Sequence, residues 1–281
     1  MTTDVLFVAK NRLEFTRESF AALALNTDWS LVDTLWVYDD GSVDGTREWL
    51  TQRIEDARAL MHLATGTRII FIDSTRGSPA AIMLDYLYRT NADAFAKVDN
   101  DTIVPPRWLN ECVSVMESRP LLDLLGIEPP KSRTPHYAGG KRSACPDAMP
   151  GYAPGCVPCG SIGGIGLMRV SAFMKHRDMA PYSIYGGFTE WQIAHADVMK
   201  AWITPPLNVF LLDRLPTEPW ASLSRTYIAD RRQRAWSGYD PADPFWSWWQ
   251  PAFIYGPLAQ RSEQRTHNPL VASLSLAGST K

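Results

Sequence analysis

Four short apolar runs, each closing on charged residues, constrain the fold more than anything else in this chain. Val5 to Val8 runs into Lys10, Thr34 to Tyr38 into Asp39 and Asp40, Arg68 to Ile72 into Asp73, and Ala94 to Val98 into Asp99. Runs of this length and composition read as buried strands. The intervening stretches have helical spacing: Leu13, Phe20, Leu23 and Ala24 share one face, and Trp49, Leu50 and Ile54 share another. Asp44 is placed to cap the second helix, which runs into Leu60, and Pro79 to Tyr88 opens with a proline suited to a first turn. Alternation of this kind predicts a mostly parallel, Rossmann-like sheet flanked by helices, with right-handed crossovers. Ligands of such sheets lie at the carboxyl ends of the strands, where Lys10, Asp39, Asp73 and Asp99 all fall.

The pattern changes after residue 127. Glu128 to Gly160 holds seven prolines and no clear periodicity, which reads as a long irregular insertion. Strand character returns over Ser161 to Arg169, a short helix over Ser171 to His176, a helix over Gly187 to Ala201, and a strand over Leu207 to Leu212. The expected organisation is one half over 1–127 and a second over 128–215 that contains the 128–160 loop. A Trp-rich extension and loose tail over 216–281 follow.

With 281 residues, 45% of them hydrophobic, the chain can bury one large core. A net charge of −2 provides no global field to draw in nucleic acid or anionic lipid. No apolar run reaches the roughly 18 to 20 residues that span a bilayer, no export segment is visible at the amino terminus, and four cysteines are too few for a disulfide scaffold. A cytoplasmic protein is expected.

Asp99 and Asp101 stand two apart where a strand gives way to a turn. Alone, Asp-Asn-Asp is as consistent with a solvated turn as with a divalent-cation site. Together with the unbroken run Asp39-Asp40-Gly41-Ser42-Val43-Asp44-Gly45-Thr46, it resembles the donor site of family 2 glycosyltransferases of the GT-A fold. The resemblance implies a nucleotide-diphosphate sugar as donor, Mn2+ or Mg2+ as cofactor, and a polar segment beside the base, matched by Ala9, Lys10, Asn11 and Arg12. It further implies that Asp39 contacts the nucleobase and that Asp99 and Asp101 serve metal and diphosphate. A carboxylate that accepts an imide N–H favours uracil or thymine over cytosine. Ser74 to Ala81 resembles the family's Arg/Asn-x-Gly segment, so Arg76 is a candidate for base or diphosphate; the alternative is a surface arginine in a turn. In many GT-A enzymes a late histidine completes the metal site, and here Asp213 stands at the end of the corresponding strand.

The resemblance makes 1–127 the nucleotide-sugar-binding half and 128–215 the acceptor-binding half, and the acceptor half matches less closely. Gly163 and Gly164 align with the family's paired glycines ahead of Leu167-Met168-Arg169. Tyr185 to Gln192 falls where the family carries a Glu-Asp pair whose Asp is the catalytic base, but Trp191 occupies that Asp position. Glu190 is then the candidate base, for a single in-line, inverting displacement; its other reading is a charge that complements a helix start. Two features lie outside the resemblance. His136, Cys145, Cys156 and Cys159 can be read as a structural Zn2+ set or as ordinary small residues. Trp236, Trp246, Trp248 and Trp249, preceded by Arg231, Arg232 and Arg234, form either an acceptor platform or a packing surface. The expected activity is glycosyl transfer to a hydroxyl. The rivals are a non-catalytic nucleotide-sugar-binding partner and a sugar nucleotidyltransferase, although the latter would need a glycine-rich loop where Ala9 to Arg12 stands. Glycan, lipid-linked sugar, protein side chain, small molecule and modified DNA base all remain open as acceptor.

Overall fold

The computed structural model describes residues 1–127, 155–179, 187–203, 207, 209–214 and 219–225. The first half alternates as expected: β1 (Thr3–Ala9), α1 (Leu13–Asn26), β2 (Thr34–Asp39), α2 (Thr46–Thr65), β3 (Arg68–Asp73), α3 (Pro79–Arg89) and β4 (Ala94–Asp99). Helix starts follow local chemistry. The Asp44 carboxylate accepts from Thr46 N at 3.1 Å and from Leu13 N at 3.1 Å, so one side chain serves the amino ends of both α2 and α1. Ser78 caps α3 through Ala81 N at 3.1 Å, with Pro79 in the first turn.

The remaining elements are β5 (Thr102–Ile103), α4 (Trp108–Glu117), β6 (Leu124–Gly126), β7 (Cys156–Pro158), β8 (Gly166–Arg169), α5 (Val170–Lys175), α6 (Gly187–Ala194), β9 (Lys200–Ile203) and β10 (Phe210–Leu211), with a 3-10 turn over Leu212–Arg214. One sheet runs β3-β2-β1-β4-β8-β6-β9-β7, and β10 pairs with β5 in a two-stranded ribbon. β3, β2, β1 and β4 are parallel, as are β6 and β9; β8 is antiparallel to both β4 and β6, and β7 is antiparallel to β9.

Alternate residues of β1 supply the two cores: Val5, Phe7 and Ala9 join Leu23, Leu50, Ile54 and Trp108, whereas Leu6 and Val8 join Tyr86, Phe95, Phe173 and Trp191. The parallel register aligns the charged strand ends. Ala9 lies opposite Asp39, Asp39 opposite Asp73, and Val8 opposite Asp99. Among the described residues no helix is long and apolar enough to cross a membrane.

Three expected elements are shorter than their sequence pattern. The helix expected over 187–201 stops at Ala194, and Lys200–Ile203 pairs with β6 as a strand instead. The Lys200 ammonium donates to His195 O at 2.6 Å, and Asp123 accepts from Met199 N at 2.8 Å, which pins the turn between helix and strand. Of Ser161 to Arg169 only the last four residues are strand. The run Leu207 to Leu212 yields only β10, because its partner β5 is two residues long.

Candidate active site

The carboxyl edge begins with two strained residues. Asn11 and Arg12 follow β1 with φ of 52° and 64°, a left-handed backbone that costs non-glycine residues about 1 kcal/mol or more each. Two other strand ends, those of β2 and β4, hold it in place. Ser42 Oγ accepts from Asn11 N at 2.7 Å, Asn11 Oδ1 accepts from Val43 N at 2.8 Å, and Asn100 Nδ2 donates to Asn11 O at 2.8 Å. Arg12 reaches across the edge to Asp101 Oδ2 at 2.8 Å and Asn100 Oδ1 at 2.6 Å. Ala9 is buried, and its carbonyl accepts from Asp40 N at 2.8 Å.

Asp39 ends β2 with no exposed surface. Its Oδ2 accepts from Ser42 N at 2.9 Å and Arg47 Nε at 3.3 Å, while its Oδ1 is buried without a hydrogen-bond partner. Arg47 also pairs with Asp73 at 3.0 Å, so it bridges two neighbouring strand ends. Asp40 is fully committed, to Lys10 at 3.0 Å through one oxygen and to Gly77 N at 2.9 Å through the other. It thereby fixes the loop that carries Arg76. The Arg76 guanidinium reaches Asp85 of α3 at 3.4 Å. Arg89 reaches the same buried carboxylate at 2.8 Å, as does the Tyr38 hydroxyl at 2.8 Å. Burial pushes the Tyr38 phenol well up, so it stays protonated and donates.

Asp99 and Asp101 lie at the end of β4 and in the turn beyond it. Each is bonded to a cation of this chain. Lys97, buried two residues upstream on the same face, bonds Asp99 Oδ1, and Arg12 bonds Asp101 Oδ2. That leaves Asp99 Oδ2, and an Asp101 Oδ1 whose contact is the Thr102 hydroxyl at 3.5 Å. Asp213 is brought close through the backbone, since Leu212 N donates to Asp101 O at 2.7 Å. Oxygen donors of this kind fit Mg2+ or Mn2+, with one carboxylate oxygen left on each aspartate. Among the described residues, however, the ligand atoms of Asp99, Asp101 and Asp213 do not gather within 4.8 Å of one another.

The later half of the chain meets this edge at a glycine. A Cβ built on Gly164 would sit 3.8 Å from both Asp99 Oδ2 and Lys97 Nζ, so the glycine lets the chain pass directly against the pair. Gly163 is left-handed with φ of 72°. The residue that organises this loop is Gln192, which nothing in the sequence singled out. Fully buried on α6, it accepts from Ile162 N at 2.8 Å and Ser161 Oγ at 3.3 Å, and donates to Gly163 O at 3.0 Å. Glu190 is exposed on the first turn of the same helix. Trp191 points into the core: it is 3% exposed, stacks on Phe173 with centroids 4.7 Å apart and 12° between planes, and donates to His176 O at 3.2 Å. The position that resembles the family's catalytic Asp is therefore used for packing.

Of the residues read as a zinc set, Cys156 belongs to the first core, while Cys159 packs against the second. His136 and Cys145 lie outside the described residues, as do Arg231, Arg232, Arg234 and the tryptophans from Trp236 to Trp249. Arg47, Lys97, Asp85 and Gln192 are the site residues that sequence reasoning missed. Each is an isolated polar residue in an element, and its partner is remote or two residues away on a strand face.

A parallel half-sheet with an acidic carboxyl edge, continued by antiparallel strands into a second half, defines a GT-A glycosyltransferase fold. Residues 4–177 match Glycosyl transferase family 2, and the chain belongs to that family. Solved structures agree on the fold. A mannosyltransferase from Pyrobaculum calidifontis, in complex with GDP-Man and Mn2+, is 14% identical with a TM-score of 0.56 over 98% of this chain and 79% of that one. Glucosyl-3-phosphoglycerate synthase from Mycobacterium tuberculosis, with Mn2+, UDP and glucosyl-3-phosphoglycerate, is 17% identical with a TM-score of 0.50 over 81% of this chain and 77% of that one. S. aureus TarS is 11% identical with a TM-score of 0.53 over 85% of this chain, which spans 41% of the TarS chain. No curated protein sequence is a significant match.

Proposed function

We propose that this protein transfers a sugar from a UDP-sugar to an acceptor hydroxyl, assisted by Mn2+ or Mg2+ and with inversion at the anomeric carbon. The observation that carries the donor half is Asp39 Oδ1, a buried carboxylate oxygen without a partner at the carboxyl edge of a parallel sheet. An orphaned buried acceptor costs roughly 1–3 kcal/mol, more when charged, and an incoming N–H removes that cost. Uracil offers one imide N–H, which suits one unoccupied oxygen. Guanine presents N1–H beside an amino group and would call on both oxygens, but Oδ2 is already taken by Ser42 and Arg47.

Asp99 and Asp101 would hold the cation, with Asp213 next to them. When bound, it supplies positive charge for the departing diphosphate. Arg12 and Lys97 steady the two carboxylates and add their own charge to the same edge. Glu190 is assigned as the base that takes the acceptor proton, since it is the exposed carboxylate at the start of α6, the helix tied to the Gly163 loop. A cytoplasmic setting belongs to this proposal and rests on the low cysteine content, four in 281 residues. The structural zinc set is left out of it, because His136 and Cys145 lie outside the described residues.

Calorimetric titration with UDP, GDP and CDP in the presence of Mn2+ tests the donor half. UDP should bind most tightly, and Asp39→Ala should weaken it at least tenfold, a loss of about 1.4 kcal/mol. Equal affinity for the three nucleotides would overturn the assignment of Asp39. Burial of Trp191 at the expected base position favours a second reading, a nucleotide-sugar-binding partner without turnover. Nucleotide release from UDP-sugars over a panel of acceptors separates the two. Release that falls by about 100-fold or more in Glu190→Gln supports catalysis through Glu190, and binding without release on any acceptor supports the partner.

A further inference from the structure

On the acceptor half, away from the residues assigned to the donor, the ends of α5 and α6 are joined by a crossed pair of His–Asp contacts. His176, which follows α5, bonds Asp197 through Nε2 at 2.8 Å, and Asp197 follows α6. His195, at the end of α6, bonds Asp178 through Nε2 at 2.7 Å, and Asp178 follows α5. The two imidazoles lie face to face with centroids 4.0 Å apart and 19° between their planes. One ligand atom each from His176, His195 and Asp197 falls within 4.8 Å of the others, the only such triple of His, Cys, Asp or Glu among the described residues.

We propose that His176, His195 and Asp197, completed by Asp178, bind a divalent transition-metal ion of the Zn2+ or Ni2+ type. Two neutral nitrogens with carboxylate oxygens are the donor set these ions prefer, whereas the all-oxygen edge at Asp99 and Asp101 suits Mg2+ or Mn2+. The contacts now present are hydrogen bonds in which a ring N–H faces a carboxylate, and the ion takes the place of that proton. A tetrahedral ion with bonds near 2.0 Å sets its ligand atoms about 3.3 Å apart. The 2.8 Å His176–Asp197 contact therefore has to open by only about half an ångström. The stacked rings must rotate to aim both nitrogens at one point. The carboxylates, about half exposed, are free to follow them, and the rings themselves are 21% and 15% exposed. Asp197 is ionised at neutral pH, its carboxyl held far below the usual range by Lys175 and His176. Lys175 is exposed and loses little by returning to water when the ion arrives.

Occupation of the site would staple the tail of α5 to α6, the helix that carries Glu190 and Gln192. The test uses the full chain, which holds five histidines (His62, His136, His176, His195 and His267), and follows their ring proton resonances during addition of Ni2+. The resonances absent from His176→Gln and from His195→Gln identify the pair. They should broaden together, with one midpoint, and persist in Asp99→Asn/Asp101→Asn. Asp197 is exposed enough for Asp197→Asn to fold, and that change should weaken the midpoint about tenfold or more. Zn2+ should raise the Tm of the wild type and leave that of His195→Gln unmoved. Broadening of His176 and His195 at different midpoints, no broadening of either, or an unchanged midpoint in Asp197→Asn overturns the proposal.

Discussion

Asp39 and Asp4 are both buried carboxylates, and they are treated in opposite ways. Asp39 keeps an oxygen in reserve, whereas Asp4 concentrates its bonds on one: Oδ2 accepts from Trp36 Nε1 at 2.9 Å, Tyr86 OH at 3.0 Å and Thr90 Oγ1 at 2.6 Å. Asp4→Ala strands three buried donors and should cost about 3 kcal/mol or more in urea unfolding, while Asp4→Asn keeps an acceptor in place and should cost less than half of that. Burial raises the Asp4 carboxyl above 3.8 in spite of those bonds. A folded pKa above the unfolded one means that the associated stability is complete below 3.8 and is lost as pH rises through the folded value. Asp4→Asn should therefore flatten the unfolding free energy across the weakly acidic range relative to wild type. At this scale the placement of Asp39 and Asp99 at strand ends was legible, because each closes an apolar run. The sequence was silent at Gln192, since a single Gln in a helix carries no sign of the loop thirty residues upstream that it bonds.

Elements show the same division. Strand ends, helix starts and the first-half order could be read because their signals are local: apolar runs, Asp44 and Pro79. In the second half α5 and β8 could be read as well, but β6, β7 and β9 could not, because those strands are set by partners. Lys200 to Ile203 carries no more strand signal than helix signal until β6 lies beside it. Two substitutions probe this half. Gly166 crosses β6 so closely that an added Cβ would fall 2.2 Å from Leu125 O, a backbone atom that cannot move aside. Gly166→Ala should destabilise by roughly 4 kcal/mol or more, seen as a large fall in Tm. Gln192→Ala leaves Ile162 N and Gly163 O without their partner and loosens α6 from the loop beside Asp99. Sugar transfer should drop about 10- to 100-fold, because small misplacements cost that much, while UDP affinity changes by less than about threefold. A parallel loss of UDP binding would mean that the helix acts on the donor site instead.

At the scale of the molecule, sequence and sheet divide the chain differently. Composition places a boundary near residue 127, and an acceptor half after it, but the sheet runs through that boundary without a break. β8, from the later half, is inserted between β4 and β6 of the earlier half, hydrogen-bonded to both. The cores are shared in the same way: Phe95 of β4 lies 5.7 Å from Phe173 of α5, and Leu167 of β8 packs with Val98 and Trp108. Removing the later half would leave β4 as an open edge and uncover apolar side chains on both faces, which is the usual route to aggregation. The two halves are then parts of one cooperative unit, and unfolding should be a single event. Urea transitions followed by tryptophan fluorescence and by far-UV circular dichroism should coincide. The Asp99→Asn/Asp101→Asn variant should lower both midpoints together, since it takes the counter-charges from the buried Lys97 and from Arg12. Two separated transitions would show that the interleaved strands do not couple the halves. The contact between Gly164 and Asp99 would then join two independently folding parts.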